Sequence, residues 1–163
     1  MSVLAHSRIL TLEQVFARIA TTHMRNVPVQ NLALRVQAVG FAPQADSTVL
    51  QGVLITPWFM NLVRLPLSAT SMLAVGEKAR HQVGTEHFEF IGAHEDGLGA
   101  FEACSLFSPM FEFTDQAAAV ATATEVLKLL RASAPATANT SPTLPNRRGF
   151  LFGRGVAASA ASS

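Results

Sequence analysis

Apolar positions along the chain change their period several times, and each change marks an element. Leu12, Val15, Phe16, Ile19 and Ala20 recur every three or four positions, which puts one apolar stripe on a helix. Thr11 and Gln14 stand before it in capping-box spacing. They predict a helix of about 13–15 residues, ended by Val27-Pro28-Val29. Leu34–Phe41 and Thr48–Thr56 read as strands, joined by Ala42-Pro43-Gln44-Ala45-Asp46-Ser47. Asn61–Leu65 is a third. Residues 67–85 carry no clear period and are interrupted by Gly76 and Gly84. Glu86-His87-Phe88-Glu89-Phe90 alternates, as a half-buried strand does. A turn at Glu95-Asp96-Gly97-Leu98-Gly99 leads to a strand over Ala100–Phe107. Thr114 or Asp115 caps a last helix over residues 115–131, with Val120, Leu127 and Leu130 on its packed side and the small Ala121 and Thr124 between.

This order is helix, four to five short strands, helix. Short connections between consecutive strands favour an antiparallel sheet. The expected fold is α+β: a two-layer single domain over residues 8–132. Residues 133–163 are rich in Ala, Ser, Thr and Pro without a period, and are expected to form a disordered low-complexity tail.

Two segments share a local plan. One is Leu54-Ile55-Thr56-Pro57-Trp58-Phe59-Met60; the other is Leu106-Phe107-Ser108-Pro109-Met110-Phe111-Glu112-Phe113. Each has two apolar residues, a hydroxyl residue, a proline, Trp or Met, then Phe. Proline fixes φ and extends the residue before it, so each segment predicts a strand end, a rigid corner and a large apolar cluster. Trp58, Phe59 and Met60 cannot all face one side of an extended segment. Either two buried layers receive them, or part of the cluster points outward as a contact surface. The same applies to Met110 and to Phe111 and Phe113, which can share a face opposite Glu112.

Composition narrows the function. Charged residues are only 14% of the 163, against about 25% in ordinary soluble proteins, and mean hydropathy is +0.30. Such a chain tends to present contiguous apolar surface. The longest apolar stretch, Val53–Leu67, is interrupted by two prolines, Asn61 and Arg64, so no membrane insertion is expected. The N-terminus lacks the pattern of a secretory signal, and the expected location is cytoplasmic. Nine acids lie between Glu77 and Glu125, against Lys78 and Arg80 as the bases of that stretch. That disfavours nucleic acid; the stretch reads as a solvated polar face, with a surface for a cationic peptide as the other reading.

Catalytic signatures are absent from the sequence: it has no phosphate-binding glycine loop, nucleophile elbow or zinc motif. The single cysteine, Cys104, sits in an apolar strand pattern and reads as a small hydrophobe. His81, His87 and His94 are spaced by six and seven positions, which matches no recurrent metal motif; Glu86 and Glu89 do not complete one. Ser105 and Ser108 have no recognisable base. The chain is expected to be no enzyme, and to hold no cofactor or metal. A pocket closed by the Pro57 and Pro109 corners, with Cys104 or His87 as a ligand, is the competing reading: a small-molecule or metal-centre binding protein.

The string Gly52-Val53-Leu54-Ile55-Thr56-Pro57-Trp58-Phe59-Met60-Asn61-Leu62, with Leu65-Pro66 after it, resembles the NiFe-hydrogenase assembly chaperones of the HybE type. So do Cys104-Ser105-Leu106-Phe107-Ser108-Pro109-Met110-Phe111-Glu112-Phe113, the following Asp115-Gln116, and Val36-Gln37-Ala38-Val39-Gly40-Phe41. The likeness runs from about residue 13 to 131. It implies a non-catalytic accessory protein that holds an immature hydrogenase subunit during cofactor assembly, before export. The favoured partner is the small-subunit precursor, through its twin-arginine signal or its iron–sulfur clusters. Some relatives carry a fused rubredoxin domain; with one cysteine here, a rubredoxin-type partner is expected to be a separate protein. The expected protein contacts are Trp58, Phe59, Met60, Met110, Phe111 and Phe113, on the physical argument above.

The tail contains Asn146-Arg147-Arg148-Gly149-Phe150-Leu151-Phe152, which looks like the core of a twin-arginine signal placed at the wrong end of a chain. Two readings are open: a coincidental basic, apolar tail, or a pseudo-signal with Arg147 and Arg148 toward the acidic stretch and Phe150, Leu151 and Phe152 over the apolar patch, masking the site in cis.

Overall fold

The computed structural model describes residues 2–44, 48–68 and 72–132. The elements are α1 (Val3–Thr21), β1 (Gln37–Pro43), β2 (Val49–Ile55), β3 (Met60–Pro66), β4 (Lys78–Val83), β5 (Glu86–Glu95), β6 (Gly99–Phe107) and α2 (Gln116–Ala132).

Helix α1 begins well before the expected cap. The Ser2 hydroxyl accepts from the Ala5 amide at 3.1 Å, while Thr11 lies inside the helix and donates to the Ser7 carbonyl. The apolar stripe extends back to Ala5, which is buried, so the folded region starts before residue 8. At the other end Asp115 is the cap of α2, its carboxylate accepting from the Ala118 amide at 2.8 Å. The packed face of α2 is Ala119, Ala123, Val126, Leu127 and Leu130, whereas Ala121 and Thr124 are exposed. Alanine at 119 and 123 lets the helix axis approach the sheet closely. At Gly40, where φ is +65°, a Cβ would fall 2.5 Å from Leu127 Cδ1.

The strands form one antiparallel sheet of six, in the order β1-β2-β3-β6-β5-β4. Two three-stranded meanders thus meet edge to edge at β3 and β6. The α+β class and the antiparallel pairing hold. The sixth strand is β4, in the stretch whose apolar period was unclear; its alternate residues are only half-buried. The helices lie on opposite faces, which makes three layers. Val53, Ile55, Met60, Leu62, Cys104 and Leu106 pack under α2. Leu50, Leu54, Val63, Leu65 and Phe101 pack under α1. Strand β2 is accordingly buried at every residue, as a strand covered on both faces must be. Strand β5 alternates: Phe88 and Phe90 pack on the α2 side, while His87, Glu89 and Ile91 on the other face are exposed.

Charged residues tie the layers together. Arg131 donates to the carbonyls of Gly40 (2.7 Å) and Gln51 (3.1 Å), and Arg8 to that of Pro66 (3.0 Å). Burial holds both guanidinium groups below the ordinary arginine range. Glu13 accepts from the Ala38 amide at 2.8 Å on edge strand β1, which occupies a donor that an edge would otherwise expose.

Candidate functional site

Because Met60 opens β3 and Phe107 closes β6, and the two residues pair, the two proline corners lie side by side. They occupy one end of the central strand pair. The first corner is a tight turn. The Thr56 amide donates to the Phe59 carbonyl at 2.8 Å, and the Thr56 hydroxyl accepts from the amides of Trp58 (3.2 Å) and Phe59 (3.0 Å). Thr56 is fully buried, so a side chain able to satisfy those amides is needed there. At the second corner Ser108 and Pro109 are exposed, and the chain leads on to α2 instead of turning back. The shared plan therefore yields two different local structures.

Asn31 joins the corners. Its amide donates to the Pro57 carbonyl at 2.8 Å. Its side-chain Nδ2 donates to the carbonyls of Met110 (3.0 Å) and Phe113 (2.8 Å), while Oδ1 accepts from the Ala33 amide. One residue from the α1–β1 connection thus satisfies backbone acceptors on both corners. No local spacing signals this, since the acceptors are 79 and 82 positions away.

The six expected contact residues divide three ways. Met60 and Met110 are fully buried and Phe113 is 7% exposed, all packed under α2. In this fold they serve the core and offer no surface. Trp58 and Phe59 turn to the other side and are half-buried, stacked edge to face with each other, and Phe59 likewise on Phe16 of α1. The two-layer solution to the alternation problem is thus the main one. Phe111 is 57% exposed, with the exposed Glu112 next to it and Asp115 nearby in the chain. Arg147, Arg148, Phe150 and Leu151 lie outside the described residues.

The acidic stretch is not one surface. Glu102 is 3% exposed and committed internally: it accepts from the Leu73 amide at 3.0 Å, bonds His81 Nε2 at 2.9 Å and pairs with Arg64 at 3.5 Å. Glu77 accepts from the Ala74 amide. Cys104 is buried, and His87 and His94 are exposed on opposite faces of β5. Among the described residues no group of three His, Cys, Asp or Glu is placed to hold a metal ion.

Beside the Pro57 corner, sequence reasoning missed a cleft of about 900 Å³. It lies between the second half of α1 and the connection 22–36, and its lining includes Ala20, Arg25, Leu32, Leu34, Arg35 and Pro57.

Residues 7–153 match the family model described as "[NiFe]-hydrogenase assembly, chaperone, HybE". The chain is 50% identical over 160 residues to "Protein HoxT" of Cupriavidus necator, covering 90% of this chain and 89% of that one. It is 41% identical over 148 residues to "Hydrogenase expression/formation protein HupJ" of Bradyrhizobium diazoefficiens, covering 85% and 83%. The solution structure of HybE from Escherichia coli has the same fold, with a TM-score of 0.55 at 19% identity over 84% of each chain.

Proposed function

Since the chain belongs to the HybE family of NiFe-hydrogenase assembly chaperones, we propose that the corner end of its sheet grips the precursor of the hydrogenase small subunit by its twin-arginine signal. Phe111 carries this reading: a large apolar side chain, 57% exposed, on a corner that Asn31 holds through the Met110 and Phe113 carbonyls. Glu112 and Asp115 set carboxylates near it in the chain. A segment of the type Arg-Arg-x-Phe-Leu is complementary, with arginines for the carboxylates and apolar side chains for the ring. Trp58 and Phe59 add a half-buried aromatic pair on the adjacent corner. Aromatics placed this way are common anchors of interfaces.

The proposed role is binding and release, without catalysis, in the cytoplasm before export and while metal centres are installed. No described helix is long and apolar enough to cross a membrane. A separate rubredoxin-type protein is a further proposed partner. The tail segment at Arg147, Arg148, Phe150 and Leu151 has the chemistry of such a signal, and we assign it the part of an internal competitor. Removal of residues 133–163 should then tighten binding of a synthetic signal peptide; unchanged or weaker binding overturns that assignment.

The direct test is a tagged pull-down from hydrogenase-expressing cells, beside a Trp58→Ala, Phe111→Asp variant checked for folding. Capture of the small-subunit precursor by the parent chain alone supports the reading. Equal capture by both, or none by either, overturns it.

A further inference from the structure

The cleft beside Pro57 has a charge opposite to that of the Phe111 corner. Arg25 and Arg35 line it and are exposed, and no acidic residue lines it. Neither guanidinium has an ion-pair partner among the described residues. Around them stand Leu32, 85% exposed, with Leu34, Val36 and Pro57. One wall is the connection 22–36, which lies between α1 and β1. Connections of this length without regular structure are uncommon in small domains and are usually functional. This one is held by Asn31, whose amide bonds Pro57 on one corner and whose side chain bonds Met110 and Phe113 on the other.

We propose that the cleft binds a second segment of the client subunit, apolar and carrying at least one carboxylate. The inference rests on the chaperone reading and adds the chemistry of a second contact. A guanidinium fork takes a carboxylate in a bidentate pair, and Leu32, Leu34 and Pro57 take the apolar side chains. The chain's own tail does not fit, because residues 133–163 hold three arginines and no acid and would meet like charge. With a cationic segment at Phe111 and an acidic one at Arg25 and Arg35, the client runs in a single direction across the corner end. Two weak contacts joined in one client chain also bind far more tightly than either alone.

The experiment uses the full chain on an array of short overlapping peptides tiling both subunits of a NiFe hydrogenase from the same cells. An Arg25→Glu, Arg35→Glu variant should lose binding to apolar–acidic peptides about tenfold at low salt, and less at high salt. It should keep the apolar–cationic peptides, and Phe111→Asp should show the reverse pattern. Arg25→Lys, Arg35→Lys should retain most of the acidic binding. Both side chains are exposed and have no ion-pair partner among the described residues, so the fold should persist, which thermal unfolding checks. Acidic peptides that bind the charge-reversed chain as well as the parent, or no acidic peptide bound at all, overturn the inference. Intact-subunit capture separates the two readings. If the parent and the charge-reversed chain capture it equally, the cleft is refuted and the chaperone reading stands; if the parent captures nothing, both fall.

Discussion

Asn31 donates its side-chain amide to the carbonyl oxygen of Met110 at 3.0 Å. The bond ties the connection before β1 to the corner after β6. Since the same side chain also serves Phe113, Asn31→Ala should destabilise the fold by about 1–3 kcal/mol by stranding both acceptors. Asn31→Asp should cost at least as much, because a carboxylate cannot donate. Urea unfolding checks both, and a midpoint unchanged in both would remove Asn31 from its organising role.

Phe111 and Phe113 should respond in opposite ways. Phe111→Asp changes a ring that is 57% exposed and should alter stability by no more than about 0.5 kcal/mol, while abolishing subunit capture. Phe113→Asp puts a carboxylate into the core and should prevent folding. Met110→Ala, at a fully buried side chain, should cost about 2–5 kcal/mol. Circular dichroism melts beside the pull-down separate the effects.

These residues show what could be read without coordinates. The corners were visible because proline and the residue before it constrain the backbone locally. Most strands were visible because the apolar period is local too. Even the third layer left a trace: Val49–Ile55 runs without alternation, as a strand covered on both faces does. Four features had no such trace. The starting point of α1 depends on Ser2 and Ala5, ahead of the apolar series Leu12–Ala20. The burial of Met110 and Phe113 depends on where α2 lies. Asn31 and the Arg25–Arg35 cleft depend on a pairing between distant segments, which spacing along the chain does not encode.

Glu102 is the most heavily committed charge in the sheet. Glu102→Ala should leave Arg64 and the Leu73 amide without their acceptor, and should cost about 3 kcal/mol or more. Glu102→Gln keeps an acceptor without the charge and should fall between the two. Unfolding midpoints give the order, and amide exchange at Leu73 should rise in the alanine variant first. An alanine variant as stable as the parent would mean that Arg64 finds another partner.

Gly92 lies under the segment that carries the chain from β3 to β4. A Cβ there would stand 2.2 Å from the Ala74 carbonyl oxygen and 2.7 Å from that of Leu73. Gly92→Ala should therefore lift residues 72–77 off the sheet at a cost of about 1–3 kcal/mol. Gly76→Ala meets no atom within 4 Å, but its φ of +86° should cost about 1 kcal/mol. Amide exchange distinguishes them: only the first variant should deprotect the whole segment.

The joining of two meanders at β3 and β6 has a consequence for synthesis. The Pro57 corner is complete as a local turn once β3 has emerged. Its neighbour, and the acceptors that fix Asn31, arrive only after Phe113 has left the ribosome. A nascent chain interrupted between the halves would present the Trp58 turn but no paired end. The paired corner end is thus a late feature of folding, coupled to closure of the long loop between β3 and β6. Truncated chains that end before Phe113 lack the carbonyl acceptors of the Asn31 side chain and should fold poorly.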